Sequence, residues 1–143
     1  MATSTPADTD LATEVWRLIT DLLMERKEQF PALAAGLGLN PGALHALMSL
    51  DESEARSMSA LAGDWKCDAS NVTWLVDRLE EGGYARRRMH PTDRRVRTVV
   101  LTPKGAKARS QVEAKLHEPP ESIRRLDRED LETLRQVLSK LHA

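Results

Sequence analysis

The residues best placed to do chemistry lie in one stretch, Asp68 to Thr102, DASNVTWLVDRLEEGGYARRRMHPTDRRVRTVVLT. The chemistry they suit is recognition of a polyanion. Val72, Leu75, Val76 and Leu79 recur at i, i+3, i+4 and i+7, one buried stripe of an amphipathic helix. The opposite face carries Ser70, Asn71, Thr73, Trp74 and Arg78: small, polar and hydrogen-bonding, with one indole and one guanidinium. Asp68 stands just ahead of the run, where its carboxylate can accept from the first free backbone amides, and Gly82-Gly83 supplies the left-handed geometry that ends a helix.

A basic hairpin follows. Tyr84 to His90 reads as a strand, Pro91-Thr92-Asp93 as a turn and the β-branched run Val96 to Leu101 as a second strand. From Tyr84 to Arg109 there are nine basic residues against Asp93 alone, a balance of +8 in a chain whose total is −1. A near-neutral pI argues against a nucleic-acid partner, but a local field acts over a Debye length and the total does not. A helix with a small polar face followed by an arginine-studded hairpin is the layout of a winged helix-turn-helix. The helix can offer side chains to base edges in a major groove while the hairpin reaches backbone or minor groove beside it.

Other chemistries lack their residues. There is no nucleophile elbow, phosphate loop or histidine-carboxylate constellation, so no catalytic residue is assigned and the chain is not expected to be an enzyme. His45, His90, His117 and His142 are scattered without ligand spacing, so neither a metal nor another cofactor is expected. The single cysteine, Cys67, cannot form an internal disulfide, no apolar run is long enough to span a membrane, and the N-terminus lacks an export pattern. A cytoplasmic protein without a membrane role is the expectation.

The elements that must position these residues are mainly helical. Residues 1–8 are polar and small and are expected to be disordered. From Thr9 a helix places Leu11, Val15, Leu18, Ile19 and Leu22 on one stripe and Ala12, Trp16 and Leu23 on a second, giving two surfaces to bury, one of them outside its own domain. Phe30-Pro31 is expected to end it, and Ala32 to Leu39 to be a connector. Asn40-Pro41 starts a helix edged by Leu44, Leu47 and Met48. Asp51 to Arg56 is a charged loop, and Ser57 caps a helix holding Met58, Leu61, Ala62 and Trp65. A turn at Lys66-Cys67 leads into the Asp68 element. Pro103 opens a long helix to about Glu118, Pro119-Pro120 breaks it, and Asp127 caps a last helix striped by Leu131, Leu134, Leu138 and Leu141.

Three segments together resemble the MarR (multiple antibiotic resistance regulator) family: DASNVTWLVDRLEEGG, the Asp-x-Arg of Asp93-Arg94-Arg95, and Leu101-Thr102-Pro103-Lys104-Gly105. With the helix before them the resemblance runs from Ser57 to Gly105. It implies a fold that is mainly α with a small β-hairpin, a winged helix-turn-helix over residues 40–102 within one domain, 9–143. Residues 9–35 and 103–143 would be the dimerisation helices. It implies a sequence-specific transcriptional regulator, a homodimer on a pseudo-palindromic operator in double-stranded DNA. It also implies control by a small anionic or phenolic effector in a cleft between the dimer helices and the reading head. Trp16, Leu44, His45 and Trp65 are candidate walls of that cleft, chosen as polar and aromatic residues near the junction, with plain core as the other reading.

The resemblance places Ser70, Asn71, Thr73 and Trp74 on the DNA-facing surface. Asn71 can pair with adenine N6/N7, Thr73 can touch a thymine methyl or a phosphate, and Arg78 suits a phosphate. Asp93 resembles the aspartate that pairs with an arginine to hold the hairpin, and Arg95 the arginine that enters the minor groove, with Arg94 the alternative at the tip. Arg88 and Arg97 complete the expected wing contacts. Trp74 departs from the usual small or basic residue: it either stacks outward on the DNA or packs inward on the wing. Other readings stand beside these. The polar helix face can be merely solvated, and one arginine of 86–88 can pair with Glu80 or Glu81. Cys67 can be a thiol switch or a small packed residue. The whole hairpin can serve a protein-interaction module that has no DNA specificity.

Overall fold

The computed structural model describes residues 6–143, and in it the local signals become eight helices and three short strands among the described residues. Helix α1 spans Pro6–Met24, α2 Gln29–Gly36 and α3 Pro41–Ser49. Strand β1 (Arg56–Ser57) precedes α4 (Met58–Trp65) and α5 (Ala69–Glu81), and the hairpin is β2 (Ala85–Met89) and β3 (Arg97–Leu101). Helices α6 (Pro103–Leu116), α7 (Glu121–Arg124) and α8 (Arg128–Ser139) follow, with a 3₁₀ turn at Lys140–His142. Two compact units divide inside α6, one through Val112 and one from Glu113 to Ala143.

Where a cap residue was legible, the helix starts at it. Asn40 accepts from the Ala43 amide at 2.7 Å with Pro41 opening α3, and Ser57 accepts from the Ala60 amide at 3.1 Å. Asp68 accepts from the Asn71 amide at 2.8 Å, and Asp127 from the Asp130 amide at 2.9 Å. Each satisfies a donor that the first turn of a helix leaves unpaired.

Four expectations need correction. Helix α1 begins at Pro6, so residues 6–8 form its first turn; residues 1–5 of the segment expected to be disordered lie outside the described residues. Phe30-Pro31 does not end α1. It lies in the first turn of α2, which replaces the expected connector. A proline there forfeits an amide that has no intrahelical partner in any case, so its helix-breaking effect is lost. Within the charged loop, Arg56 and Ser57 pair antiparallel with Val99 and Thr98, giving a three-stranded sheet of order β1-β3-β2 instead of a bare hairpin. Two residues have no periodicity to read. The four-residue α7 after Pro120 escapes for the same reason.

The core sits in the first unit. Leu44, Leu47, Leu50, Leu61, Val72, Val76, Leu79 and Val99 are its largest fully buried side chains. Each stabilises the fold by about 1.5–3 kcal/mol. Strand β3 is central, paired antiparallel with β1 on one edge and β2 on the other, and it is buried continuously from Thr98 to Leu101. Tyr84 fixes the start of the wing: its hydroxyl donates to the Leu37 carbonyl at 2.9 Å. Its own carbonyl accepts from the Thr102 amide at 3.0 Å.

The two stripes of α1 are not buried. Leu11, Val15, Trp16, Leu18 and Leu23 are exposed, with Trp16 at 63%. Taken by itself, α8 likewise buries nothing: Leu131, Leu134, Val137, Leu138 and Leu141 are all exposed. No helix among the described residues is long and apolar enough to cross a membrane.

Candidate nucleic-acid interface

The reading helix is set by the turn in front of it. Lys66 takes φ 50°, the left-handed region, while the Cys67 amide donates to the Ala62 carbonyl and the Lys66 amide to the Gly63 carbonyl. This closes α4 with a Schellman motif and turns the chain into α5 within two residues. Asp68 then receives two hydrogen bonds at 2.8 Å, from the Asn71 amide and the Ser70 hydroxyl, and they hold its carboxyl below the usual range. At the far end Gly83, φ +77°, closes α5 in the same way and releases the chain into β2.

Val72, Leu75, Val76 and Leu79 are buried, as their spacing predicts, so Ser70, Asn71, Thr73 and Trp74 face outward. Their chemistry is narrower than their residue types suggest. The Ser70 hydroxyl is committed to Asp68, and the Thr73 hydroxyl donates to the Ala69 carbonyl at 3.0 Å. Trp74 is 43% exposed. The Arg78 guanidinium lies 5.5 Å from the Trp74 ring centre and is also paired with Glu81, so Arg78 is tied along the helix instead of projecting freely.

The wing separates its arginines by strand alternation. Arg87 turns inward, its side chain 18% exposed, and pairs with Glu80 and with Asp77 at 2.7 Å while donating to the Thr73 carbonyl at 3.3 Å. Arg86, Arg88, Arg94, Arg95 and Arg97 are exposed. Arg86 was missed by sequence reasoning, although period-two alternation puts it on the same face as Arg88. The basic patch is also smaller than its composition suggests. Lys104 donates to the Gly82 carbonyl at 2.7 Å and lies over the Tyr84 ring, and Arg109 donates to the Leu50 carbonyl at 2.6 Å. With Arg87, three of the nine cations therefore act within the fold. Asp93 holds the turn without an arginine side chain: its carboxylate accepts from the Arg95 amide at 3.0 Å and its carbonyl from the Val96 amide at 3.1 Å. The ion pair expected for Asp93 is replaced by a backbone one-turn cap.

Two clefts flank the reading helix. One, of about 620 Å³, is lined by Met58, Thr73, Arg87, Arg95 and Arg97, and so joins α5 to the wing through cationic walls. The other, of about 450 Å³, is lined by Gly42, His45 and Ala46 of α3, Asp64 and Trp65 of α4, Cys67, and Asn71 and Leu75 of α5. His45 and Trp65 are thus brought together, the His45 ring tilted against that of Phe30 with 4.3 Å between centres and Trp65 donating to the Ser49 hydroxyl at 2.7 Å. Leu44 is fully buried core, and Trp16 lines neither cleft. Cys67 is half-buried at the edge of the second cleft. No cluster of three or more histidine, cysteine or acidic side chains that could hold a metal ion occurs among the described residues.

A helix, a left-handed turn, a capped helix and an arginine-edged hairpin form a winged helix-turn-helix, and residues 39–96 match the model of the MarR family. Over that segment the chain is similar to the MarR family. A proposed transcriptional regulatory protein for the hcr operon of Thauera aromatica is 32% identical over 106 residues, 73% of this chain and 64% of that protein. An uncharacterized HTH-type transcriptional regulator of Bacillus subtilis, YcgE, is 39% identical over 72 residues, 50% of this chain and 46% of that protein. The matches therefore cover less than two thirds of each relative's length. Among solved structures, YusO of Bacillus subtilis superposes with a TM-score of 0.74 at 22% identity, covering 97% of this chain and 98% of its own. The transcriptional regulator BldR of Sulfolobus solfataricus has a TM-score of 0.59 at 27% identity, covering 96% and 99%. Outside the matched segment, α1 and α8 each carry exposed apolar side chains.

Proposed function

We propose that this chain is a transcriptional regulator that grips double-stranded DNA as a homodimer and is controlled by a small ligand. The observation that carries the reading is the cleft in which Thr73, on the outward face of α5, meets Arg95 and Arg97 of the wing, whose Arg86, Arg88 and Arg94 are exposed as well. The helix suits the major groove, where Asn71 can pair bidentately with adenine. Arg94 and Arg95 at the wing tip, with Arg86, Arg88 and Arg97 along the strands, suit phosphates and the adjacent minor groove. Arg78, held by Trp74 and Glu81, is a secondary phosphate contact. The exposed apolar stripes of α1 and α8 support a dimer, since surfaces of that kind on a monomer mark an interface. A two-fold protein would set its reading helices about 34 Å apart, one turn of duplex.

For the ligand, the cleft of His45, Trp65, Cys67 and Asn71 is the better site, because Asn71 belongs both to its wall and to the groove-facing surface. Its charged wall residue is Asp64, already paired with Arg56, so a neutral phenol suits it better than a carboxylate. Control follows only when the ligand prefers one spacing of the two heads. Titrating phenolic compounds against Trp65 fluorescence, with Trp16 and Trp74 replaced by phenylalanine, tests this. Quenching in the His45 protein that vanishes in His45→Ala is expected, and no quenching would remove the ligand from the account.

Fluorescence anisotropy with labelled duplexes tests the DNA reading. Affinity should fall by orders of magnitude between about 50 and 200 mM salt while a preferred sequence stays preferred. Association that is blind to sequence would point instead to a protein-interaction module.

A further inference from the structure

Given DNA binding as proposed above, we infer that Trp74 sets sequence preference by reading the 5-methyl group of a thymine in each half-site. The inference starts from what the outward face of α5 has left to offer. Ser70 has spent its hydroxyl proton on the Asp68 carboxylate and Thr73 its own on the Ala69 carbonyl. Both keep acceptor lone pairs, but neither is a free donor toward a base edge. What projects is the Thr73 methyl, the Asn71 carboxamide and, largest of all, an indole that is 43% exposed.

That indole is also held in place. Arg78, one turn on, sits 5.5 Å from the ring centre, and Glu81 holds Arg78 in turn, so a Trp74–Arg78–Glu81 ladder runs along one edge of the helix. A side chain fixed before binding loses little entropy on contact, which is what makes a modest apolar contact count. One face of the ring is occupied by the guanidinium, leaving its edge and other face for a partner. In the major groove the apolar feature of a base pair is the thymine methyl, which adenine, guanine and unmodified cytosine lack. Asn71, one turn back, suits adenine. The pair together prescribe A·T steps under the reading helix.

The experiment has two stages, using the full chain. A preferred duplex is first selected from a random DNA pool. Its thymines are then replaced, one position at a time, by deoxyuridine, which removes only the methyl group. Binding is measured for the wild-type protein, Trp74→Ala and Trp74→Phe. One symmetry-related thymine position should weaken wild-type binding about fourfold when replaced in one half-site, the transfer value of a methyl group, and about fifteenfold when replaced in both. Trp74→Ala should bind thymine and uracil duplexes alike, and Trp74→Phe should keep part of the discrimination. Indifference of the wild type to every replacement would overturn the inference while leaving DNA binding intact. So would a uracil penalty that persists in Trp74→Ala. Failure to select any sequence would overturn the functional reading itself, and this inference with it. Trp74 is outward-facing, so an unchanged circular dichroism melt is expected for both variants.

Discussion

Arg87 and Arg95 carry the same charge on the same hairpin and are expected to fail in opposite ways. Arg95 is exposed at the wing tip, so Arg95→Ala should weaken DNA binding and take about one from the log-log salt slope per subunit, with the melting temperature unchanged. Unaltered affinity would remove the wing from the interface. Arg87 instead neutralises Asp77 and Glu80 and donates to the Thr73 carbonyl. Its pairs are partly solvated, so Arg87→Ala should cost about 1–2 kcal/mol of stability, read as a lower melting temperature. Asp68 supplies a pH dependence. The Asn71 amide and the Ser70 hydroxyl hold its folded pKa below the unfolded one, so the unfolded chain binds its proton first as pH falls. The stability it confers is present above about pH 4 and is lost below that. Between pH 6 and 3 the melting temperature of Asp68→Asn should therefore decline less than that of the wild type, and superimposed profiles would refute the titrating cap. The cap was legible because its chemistry reaches only three residues ahead. The partner of Asp93 was not, since whether its carboxylate meets a guanidinium or the Arg95 amide is decided by the conformation of the turn.

Among the elements, the packing of α6 onto the start of β2 is the least tolerant join. A Cβ on Gly105 would lie 1.9 Å from the Tyr84 carbonyl oxygen, and backbone cannot step aside. Alanine gains about 1 kcal/mol over glycine as a helix former, but the clash outweighs it. Gly105→Ala is expected to destabilise by at least about 2 kcal/mol, measured by denaturant titration. Lys66 works in the other direction. As the one non-glycine residue at positive φ among those described, its replacement by glycine should stabilise the protein by about 0.5–1 kcal/mol, and a loss would mean that the lysine side chain matters more than its backbone. Helices α3, α4, α5 and α8 were legible from their cap residues and apolar spacing. Helix α2 was not, because a proline breaks a helix or starts one according to its position, which composition does not state. Strand β1 exists only because β3 has an edge to offer, a tertiary fact about Val99 and Thr98 that leaves no trace in Arg56-Ser57.

At the scale of the whole molecule the surplus apolar surface was readable, and what covers it was not. The double stripe of α1 and the leucines of α8 announce surfaces to bury, yet a single chain leaves Leu11, Trp16, Leu134 and Leu138 in solvent. In the dimer these faces would supply the interface, and Leu134→Glu with Leu138→Glu should halve the sedimenting mass to that of one 16.0 kDa chain without unfolding the reading head. A doubly substituted protein that remains a dimer would place the interface elsewhere. Charge follows the same division: a chain of net −1 still presents a cationic edge, since its acids lie mostly outside the wing. The central claim is that two such edges grip one duplex together. Selection of bound sequences from a random DNA pool tests it most directly. An inverted repeat with half-site centres about one helical turn apart is the expected result, and enrichment of no sequence, or of a lone half-site bound by one chain, would contradict it.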